Sequence, residues 1–192
     1  IAGQGSREQA AARLLAYSDP GAMQALIERI EGATIDYLSR QIEAGVEAVQ
    51  LFDSWAGSLS PAQFERWVIA PNARIIAALR ERHPTTPLIG FPKGVGGKLV
   101  AYANETGADA IGIDETVDPV WANRVLPDGL PVQGNLDPLA LVAGGERLSE
   151  AVAGILGAFL ERPHIFNLGH GIRQETPISH VEALVAQVRG EQ

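Results

Sequence analysis

Polar and ionisable residues follow five short apolar runs of this sequence. The pairs at the ends of these runs are Asp53-Ser54, Pro92-Lys93, Asp114-Glu115, Gly134-Asn135 and Gly169-His170. If the runs are parallel strands, their carboxyl ends meet on one rim, where α/β folds bind their ligands. A strand end with only a structural role needs no more than a turn residue or a helix cap. The clustering of carboxylate, hydroxyl, amine, amide and imidazole groups therefore predicts a cleft for a small polar molecule.

Asp53 and Ser54 are interpreted as binding residues rather than as a helix cap. The next helix is expected to begin at Pro61, and Ser60 already supplies its cap. The residues between are available for function, as loop residues on a rigid scaffold commonly are. We take Ser54 as a candidate substrate-binding residue and Asp53 as a possible further member of the pocket.

His170 stands between Gly169 and Gly171, at the point where a strand is expected to stop. Glycines on both sides allow a tight turn that happens to contain a histidine, and they also suit one wall of an active site. An imidazole near neutral pH can be a cation against a carboxylate, a neutral hydrogen-bond donor or part of a proton path. The residue pattern alone makes His170 a candidate for a binding site, and these three roles stay open.

Lys93 and Asn135 are possible additional pocket residues. Lys93 precedes the flexible loop Gly94–Gly97, so a site and a solvated loop are equally open readings for it. Asn135 lies just ahead of Asp137, which is expected to cap the helix that starts at Pro138. Asp114, at the end of the run ADAIGI, is likewise open between a pocket and a polar rim position.

The composition narrows the classes of function. The 192 residues carry a net charge of -8, which disfavours nucleic acid as a partner, and contain no cysteine for thiolate zinc sites or nucleophiles. The segment GVGGKL is not a P-loop, and neither HExxH nor GxSxG occurs, so no metal or cofactor is predicted. No apolar run is long enough to span a bilayer and no signal peptide is recognised, so we expect no membrane partner and a cytoplasmic location.

Predicted strands and helices alternate along the chain. Strands are predicted over Ala48–Phe52, Pro87–Phe91, Ala108–Ile113, Pro131–Gln133 and His164–Asn167. Helix starts are predicted where a capping residue precedes a proline, at Asp19-Pro20, Ser60-Pro61, Asp118-Pro119, Asp137-Pro138 and Thr176-Pro177. This alternation is typical of right-handed βαβ units and a parallel sheet. No linker divides the chain, so a single α/β domain is predicted for residues 1–192.

Several motifs occur in an order that resembles one family. They are GQGS (Gly3–Ser6), LFDSWAG (Leu51–Gly57), GFPKG (Gly90–Gly94), the strand end Gly112–Asp114, QGNLDP (Gln133–Pro138) and NLGHGI (Asn167–Ile172). Each motif alone is weak evidence. Together, in this order and over essentially the whole chain, they resemble the uroporphyrinogen decarboxylase family.

The resemblance implies a (β/α)8 TIM barrel that acts as a cytoplasmic homodimer in haem and tetrapyrrole biosynthesis. The implied reaction removes CO2 from the four acetate side chains of uroporphyrinogen III and gives coproporphyrinogen III, without a metal or organic cofactor. Ser54 and His170 match family positions that contact substrate carboxylates. The motifs QGNLDP and GFPKG match the family without an assigned role.

The same resemblance places several of the family's functional groups ahead of Ile1. These are a key aspartate that hydrogen-bonds the pyrrole N–H groups, an arginine-rich loop that clamps carboxylates, and a substrate-contacting tyrosine. The sequence also starts without a methionine, and its five predicted strands are fewer than those of a barrel of about 250 residues. We therefore expect the C-terminal portion of a TIM barrel, with about five βα units, that is inactive by itself.

Two alternatives remain open at this stage. One is the related branch of corrinoid or thiol methyltransferases, which resemble the chain in fold but use a zinc site with a cysteine ligand. The other is a non-catalytic α/β domain that binds a small molecule, for which five doubly wound strands would suffice. Zinc content would test the first alternative and strand order the second.

Overall fold

A computed structural model describes residues 9–190 of the chain, which form two compact units that divide between Ala108 and Asp109. The predicted GQGS motif lies outside the described residues. The single-domain organisation of residues 1–192 stays a prediction. Among the described helices, none combines the length and the apolar character needed to cross a membrane.

The first unit contains two parallel strands and the helices around them. Its elements are α1 (Ala10–Ser18), α2 (Pro20–Glu43), β1 (Val49–Asp53), α3 (Pro61–Phe64), a π-helical turn (Glu65–Ile69), α4 (Ala70–Arg82), β2 (Leu88–Pro92) and α5 (Leu99–Glu105). Leu51 of β1 lies opposite Gly90 of β2, and Asp53 lies opposite Pro92. Both strands therefore end at the same level, and the loops that follow them leave side by side.

The second unit contains three strands that pair in parallel in chain order. Its elements are β3 (Ala110–Gly112), α6 (Pro119–Val125), β4 (Val132–Leu136), α7 (Pro138–Ala143), α8 (Gly145–Ala158), β5 (His164–Leu168) and α9 (Ile178–Arg189). Gly112 of β3 lies opposite Gln133 of β4, and Asn135 of β4 lies opposite Asn167 of β5. The ends of β4 and β5 are thus level with each other.

Three of the five predicted helix caps are confirmed by side-chain hydrogen bonds. The carboxylates of Asp19, Asp118 and Asp137 accept from backbone N–H groups in the first turn of α2, α6 and α7. Ser60 occupies the cap position of α3, but its hydroxyl makes no capping bond. The prediction at Thr176-Pro177 is wrong by one residue, because Pro177 is itself the cap and α9 begins at Ile178.

The strand boundaries depart most from prediction at β3 and β4. Strand β3 covers only Ala110–Gly112, although the apolar run is longer. Strand β4 continues past Gln133 to Leu136, so the prediction that Asn135 follows the strand is wrong. An apolar pattern does not predict this extension, because the residues QGNL at the end of β4 are mostly polar or glycine.

Arg162 fastens the loop between α6 and β4 to the segment that precedes β5. Its guanidinium donates to the carbonyl oxygens of Asn123, Leu126, Pro127 and Leu130 at 2.8–3.2 Å. A fifth bond runs from its Nε to the Asn123 side-chain oxygen at 2.7 Å. The planar fork of arginine can serve this many acceptors at once, whereas an ammonium group cannot.

We expect Arg162→Lys to lower the free energy of unfolding of the full-length protein by about 2–3 kcal/mol, since hydrogen bonds from a charged donor are lost. Urea unfolding followed by circular dichroism measures this change. Arg147→Lys is the matched control, because Arg147 is highly exposed and makes a single i,i+3 pair with Glu150. Equal effects of the two substitutions would contradict the role given to Arg162.

Candidate functional site

Three of the predicted site residues lie in or beside the loops that follow β1 and β2. Asp53 is the last residue of β1, Ser54 follows it and is exposed, and the half-buried Lys93 follows β2. The backbone N–H of Lys93 donates to the carbonyl oxygen of Asp53 at 3.0 Å, and the N–H of Gly57 donates to the carbonyl oxygen of Lys93 at 3.1 Å. The motifs FDSWAG and GFPKG therefore form one hydrogen-bonded pair of loops.

The absence of side chains at Gly57 and Gly94 allows these loops to touch. A Cβ atom at Gly57 would lie 2.2 Å from the carbonyl oxygen of Gly94, which is too close for any real contact. Gly94 has a φ of 70°, in the region that favours glycine. Backbone therefore contacts backbone, and the position of Ser54 is tied to that of Lys93.

Lys98 is a structural lysine that the sequence did not reveal. Its ammonium group donates to the carbonyl oxygens of Gly57 at 3.1 Å and Leu59 at 2.6 Å, and it lies 5.1 Å from the centre of the Phe64 ring. Burial lowers the pKa of this ammonium group. The segment GVGGKL does not predict this role, because the partners of Lys98 lie about forty residues away in the sequence and leave no local pattern.

The carboxyl group of Asp53 faces a mixed environment. Burial raises its pKa, while hydrogen bonds from the backbone N–H groups of Trp55 and Ala56 act in the opposite direction. Asp53 lines a cavity of about 160 Å³ with Arg13 and Trp67, and a second cavity of about 280 Å³ that also includes Trp67. A carboxyl group held in this way can switch between proton donor and anion at a higher pH than an exposed aspartate.

Tyr102 lies beneath this region and is completely buried. Its hydroxyl donates to the side-chain oxygen of Asn72 at 3.2 Å, and Asn72 in turn donates to the carbonyl oxygen of Val68 at 2.8 Å. Burial and the negative charge of Asp53 both raise the pKa of the tyrosine. Tyr102 therefore stays neutral over the physiological pH range.

Asn135 and His170 belong to the second unit, where Asp114 lies close to Asn135. Asn135 is buried, and its amide nitrogen donates to the carbonyl oxygens of Asp114 at 2.9 Å and Val117 at 2.7 Å. The Asp114 carboxylate accepts from the backbone N–H of Thr116 at 2.9 Å and from its hydroxyl. The loop after β3 is thus ordered by hydrogen bonds from within and from β4.

His170 is exposed in the bend that follows β5. Neither neighbouring glycine has a positive φ, so the bend does not use the left-handed conformation that favours glycine. Gly169 instead makes a close backbone contact, since a Cβ atom there would lie 2.2 Å from the backbone nitrogen of Glu115. A Cβ atom at Gly171 would meet nothing within 4 Å.

Arg173 and Glu175, which follow this bend, form an ion pair with each other. Arg173, a candidate cation for carboxylate binding, donates to Glu175 at 3.2 Å, and both side chains are 55% exposed. The ring of His164 contacts the carbonyl oxygen of Gly134 at 2.7 Å, and burial lowers its pKa. His180 contacts the carbonyl oxygen of Leu141 at 3.0 Å, in agreement with a structural role. Within residues 9–190, no group of three His, Cys, Asp or Glu residues is arranged to hold a metal ion.

The chain matches the family model described as uroporphyrinogen decarboxylase (URO-D) over residues 1–190. Curated proteins named uroporphyrinogen decarboxylase from Rhizorhabdus wittichii and Sphingopyxis alaskensis are 68% and 67% identical to it over 190 residues, and one from Erythrobacter litoralis is 63% identical over 189 residues. These alignments cover 98–99% of this chain but 55–56% of the relatives. The chain therefore spans about half the length of the curated relatives it matches.

Among solved structures, a methyltransferase from Methanosarcina mazei shares the fold with a TM-score of 0.82 at 17% sequence identity. The match covers 93% of this chain and 52% of the methyltransferase. At this identity the likeness concerns the fold alone. With the parallel strands and intervening helices, it confirms the predicted α/β class, part of a TIM barrel with about five βα units.

We expect Gly57→Ala to destabilise the protein by about 1–3 kcal/mol, because the added methyl group forces the two loops apart. Gly97→Ala is the matched control, since Gly97 lies in the GVGGK segment, whose Gly94 contacts Gly57, and a Cβ atom at Gly97 would meet nothing within 4 Å. Thermal unfolding of the two variants measures the difference. A Gly57→Ala variant as stable as Gly97→Ala would show that the loops do not require this contact.

Asp53→Asn is expected to raise thermal stability at neutral pH. Because burial raises the pKa of Asp53, folding carries a cost once the carboxyl group ionises, and this cost appears as pH rises from the ordinary aspartate range through the raised value. The gain from Asp53→Asn should shrink as the pH is lowered toward about 4. Unfolding temperatures across this pH range measure it. Asp118→Asn, at the exposed cap of α6, should show no such gain, and a gain independent of pH at position 53 would argue against the burial effect.

Proposed function

The chain belongs to the uroporphyrinogen decarboxylase family, and we propose that the protein it forms part of removes CO2 from the four acetate side chains of uroporphyrinogen III to give coproporphyrinogen III. Several relatives named uroporphyrinogen decarboxylase are 62–68% identical to this chain, and this is the observation that carries the proposal. The expected setting is haem and tetrapyrrole biosynthesis in the cytoplasm.

Ser54 and His170 are the proposed substrate-binding residues of this chain. Each is exposed, and each follows a parallel strand directly or by two residues. Each also adjoins a loop held by a close backbone contact at a glycine, Gly57 in one case and Gly169 in the other. A hydroxyl and an imidazole on such anchored loops are suited to orient carboxylate groups, because little freedom is lost when the substrate binds.

The chemistry requires an electron sink that the pyrrole ring itself can provide. Protonation of the ring carbon next to the one that bears the acetate gives a delocalised cation, and the electron pair of the broken bond to CO2 then enters the ring and leaves an exocyclic methylene group. Protonation of this methylene carbon and loss of the added ring proton give the methyl group and restore the pyrrole. A fixed carboxylate near the pyrrole N–H would stabilise this cation, and a general acid must deliver the protons. In this chain, Ser54 and His170 are proposed to bind and orient the carboxylates of the substrate.

Binding a substrate with many carboxylates cannot rest on the charge of the chain as a whole, which is -8. Local cations must do it instead. Lys93, His170 and Arg173 are candidates among the described residues, and the guanidinium of Arg173 also pairs with Glu175 at 3.2 Å. Arginines elsewhere in the whole protein are expected to supply bidentate contacts.

The whole protein is proposed to complete the barrel and to form a homodimer. Within residues 9–190, β1 has one hydrogen-bonded neighbour, β2, and β5 has one, β4. Apolar side chains on these strands remain exposed, with Phe52 at 69% and Ile165 at 45%. Further strands from the whole protein would cover such side chains and pair with the outer edges of β1 and β5.

The test is turnover of uroporphyrinogen III by the purified full-length protein after treatment with a chelator, with products separated as porphyrins and detected by fluorescence. We expect coproporphyrinogen III as the product. His170→Asn and Ser54→Ala should each lower kcat/KM by about 10- to 100-fold, as expected for the loss of a hydrogen bond to a charged group, and should let partly decarboxylated intermediates accumulate.

His180→Asn serves as the matched control, because that ring contacts a backbone carbonyl oxygen. Unchanged kinetics in the His170 and Ser54 variants would remove these residues from the site. Absence of turnover, together with stoichiometric zinc in the purified protein before the chelator is added, would favour the methyltransferase alternative instead.

A further inference from the structure

We propose that Asn135 is a positioning residue that holds the bend carrying His170 by fixing the peptide bond between Asp114 and Glu115. The inference deepens the proposed function and rests on it for its kinetic consequence. Its structural part, that Asn135 controls the placement of His170, can be tested without turnover. It assigns to the QGNLDP motif a role that its match to the family did not supply.

The side-chain amide of Asn135 donates two hydrogen bonds to the loop that follows β3. They reach the carbonyl oxygens of Asp114 at 2.9 Å and of Val117 at 2.7 Å, on either side of a tight turn in which the N–H of Val117 also donates to the carbonyl oxygen of Asp114 at 3.1 Å. These two acceptors require the amide nitrogen at this position and fix the orientation of the side chain. Asn135 therefore closes the turn after β3 from the neighbouring strand.

The same peptide bond is in contact with the bend that carries His170. The oxygen of the Asp114–Glu115 peptide accepts from Asn135, while its nitrogen lies against Gly169. A Cβ atom at Gly169 would lie 2.2 Å from that nitrogen and 2.9 Å from the carbonyl carbon of Asp114. One peptide group therefore links Asn135 to the residue that precedes His170.

A second link comes through the backbone of β4. The N–H of Gly169 donates to the carbonyl oxygen of Leu136 at 2.8 Å, and Leu136 is the residue after Asn135. The bend is thus held at Gly169 by two groups that both adjoin Asn135. His170 and Gly171 are exposed, so the contacts at Gly169 determine the position of the His170 backbone and thus of its imidazole.

The burial of Asn135 indicates that an amide is needed here for the two hydrogen bonds that it donates. The residue is 5% exposed, and its side-chain oxygen has no hydrogen-bond partner among the described residues. A buried acceptor without a partner is costly, so packing alone would favour an apolar residue here. The two bonds to the turn are the feature that an apolar residue could not reproduce.

The first experiment follows the His170 imidazole by NMR in the full-length protein with labelled histidine, the signal being assigned by its loss in His170→Asn. We expect Asn135→Ala to shift or broaden this signal. Gly169→Ala should do the same, because it disturbs the contact from the other side and keeps the test valid if Asn135→Ala fails to fold. Arg162→Lys is the matched control, since it removes bonds to backbone carbonyl oxygens in the same unit without contact to the bend.

The second experiment measures kinetics with uroporphyrinogen III. Asn135→Ala should lower kcat/KM by about 10- to 100-fold, as for a misplacement of roughly 1 Å at a binding group. In the His170→Asn background the same substitution should have almost no further effect, because its influence acts through His170. Arg162→Lys should lower the unfolding temperature while kcat/KM stays within about twofold of the unmodified protein.

The outcomes separate this inference from the proposed function. An unchanged His170 signal in both Asn135→Ala and Gly169→Ala would overturn the positioning role, whatever the activity. A changed signal with no decarboxylation by the unmodified protein would leave the positioning role standing and reject the proposed reaction. A full loss of activity on adding Asn135→Ala to His170→Asn would show that Asn135 acts independently of the histidine and would overturn its kinetic role.

Discussion

Backbone contact between neighbouring loops is the constraint on which the candidate binding residues of each unit depend. In the first unit Gly57 lies against Gly94, and in the second Gly169 lies against Glu115. Any side chain at Gly57 or Gly169 would separate the paired loops, so glycine is required for contact rather than for a turn. Ser54 and His170 obtain their positions from these contacts, because their own side chains are exposed. The exposed groups are thus placed by their buried neighbours.

The half-buried charged groups divide between structural and chemical roles according to their partners. Arg162 and Lys98 donate to backbone carbonyl oxygens and order the loops around them. Asp53 instead lines two cavities, and burial raises the pKa of its carboxyl group. These two properties suit a role in proton transfer, which a turn residue does not have. A cost in stability at a carboxyl group of this kind is typical of functional sites.

Local sequence patterns predicted the order of the helices and strands and the family. They did not predict contacts between residues that are distant in sequence. The caps at Asp19, Asp118 and Asp137 were predictable because a helix start depends on adjacent residues. The family predicted from the ordered motifs is confirmed by a match over residues 1–190. The sequence did not predict the close contact at Gly169 or the hydrogen bonds of Lys98, because their partners are distant in sequence. It also did not predict the end of β4, because the last residues of that strand include polar ones.

The close fit between Gly90 and Tyr102 has an evolutionary consequence. A Cβ atom at Gly90 would lie 2.6–3.1 Å from the tyrosine ring and hydroxyl, and Tyr102 is completely buried. Neither position can therefore drift by itself: a larger residue in β2 requires a smaller one in α5, and loss of the ring leaves Asn72 without its donor. Among descendants of a common ancestor, the two positions should change as a pair, and the sequence record of this strand and helix should carry that covariation.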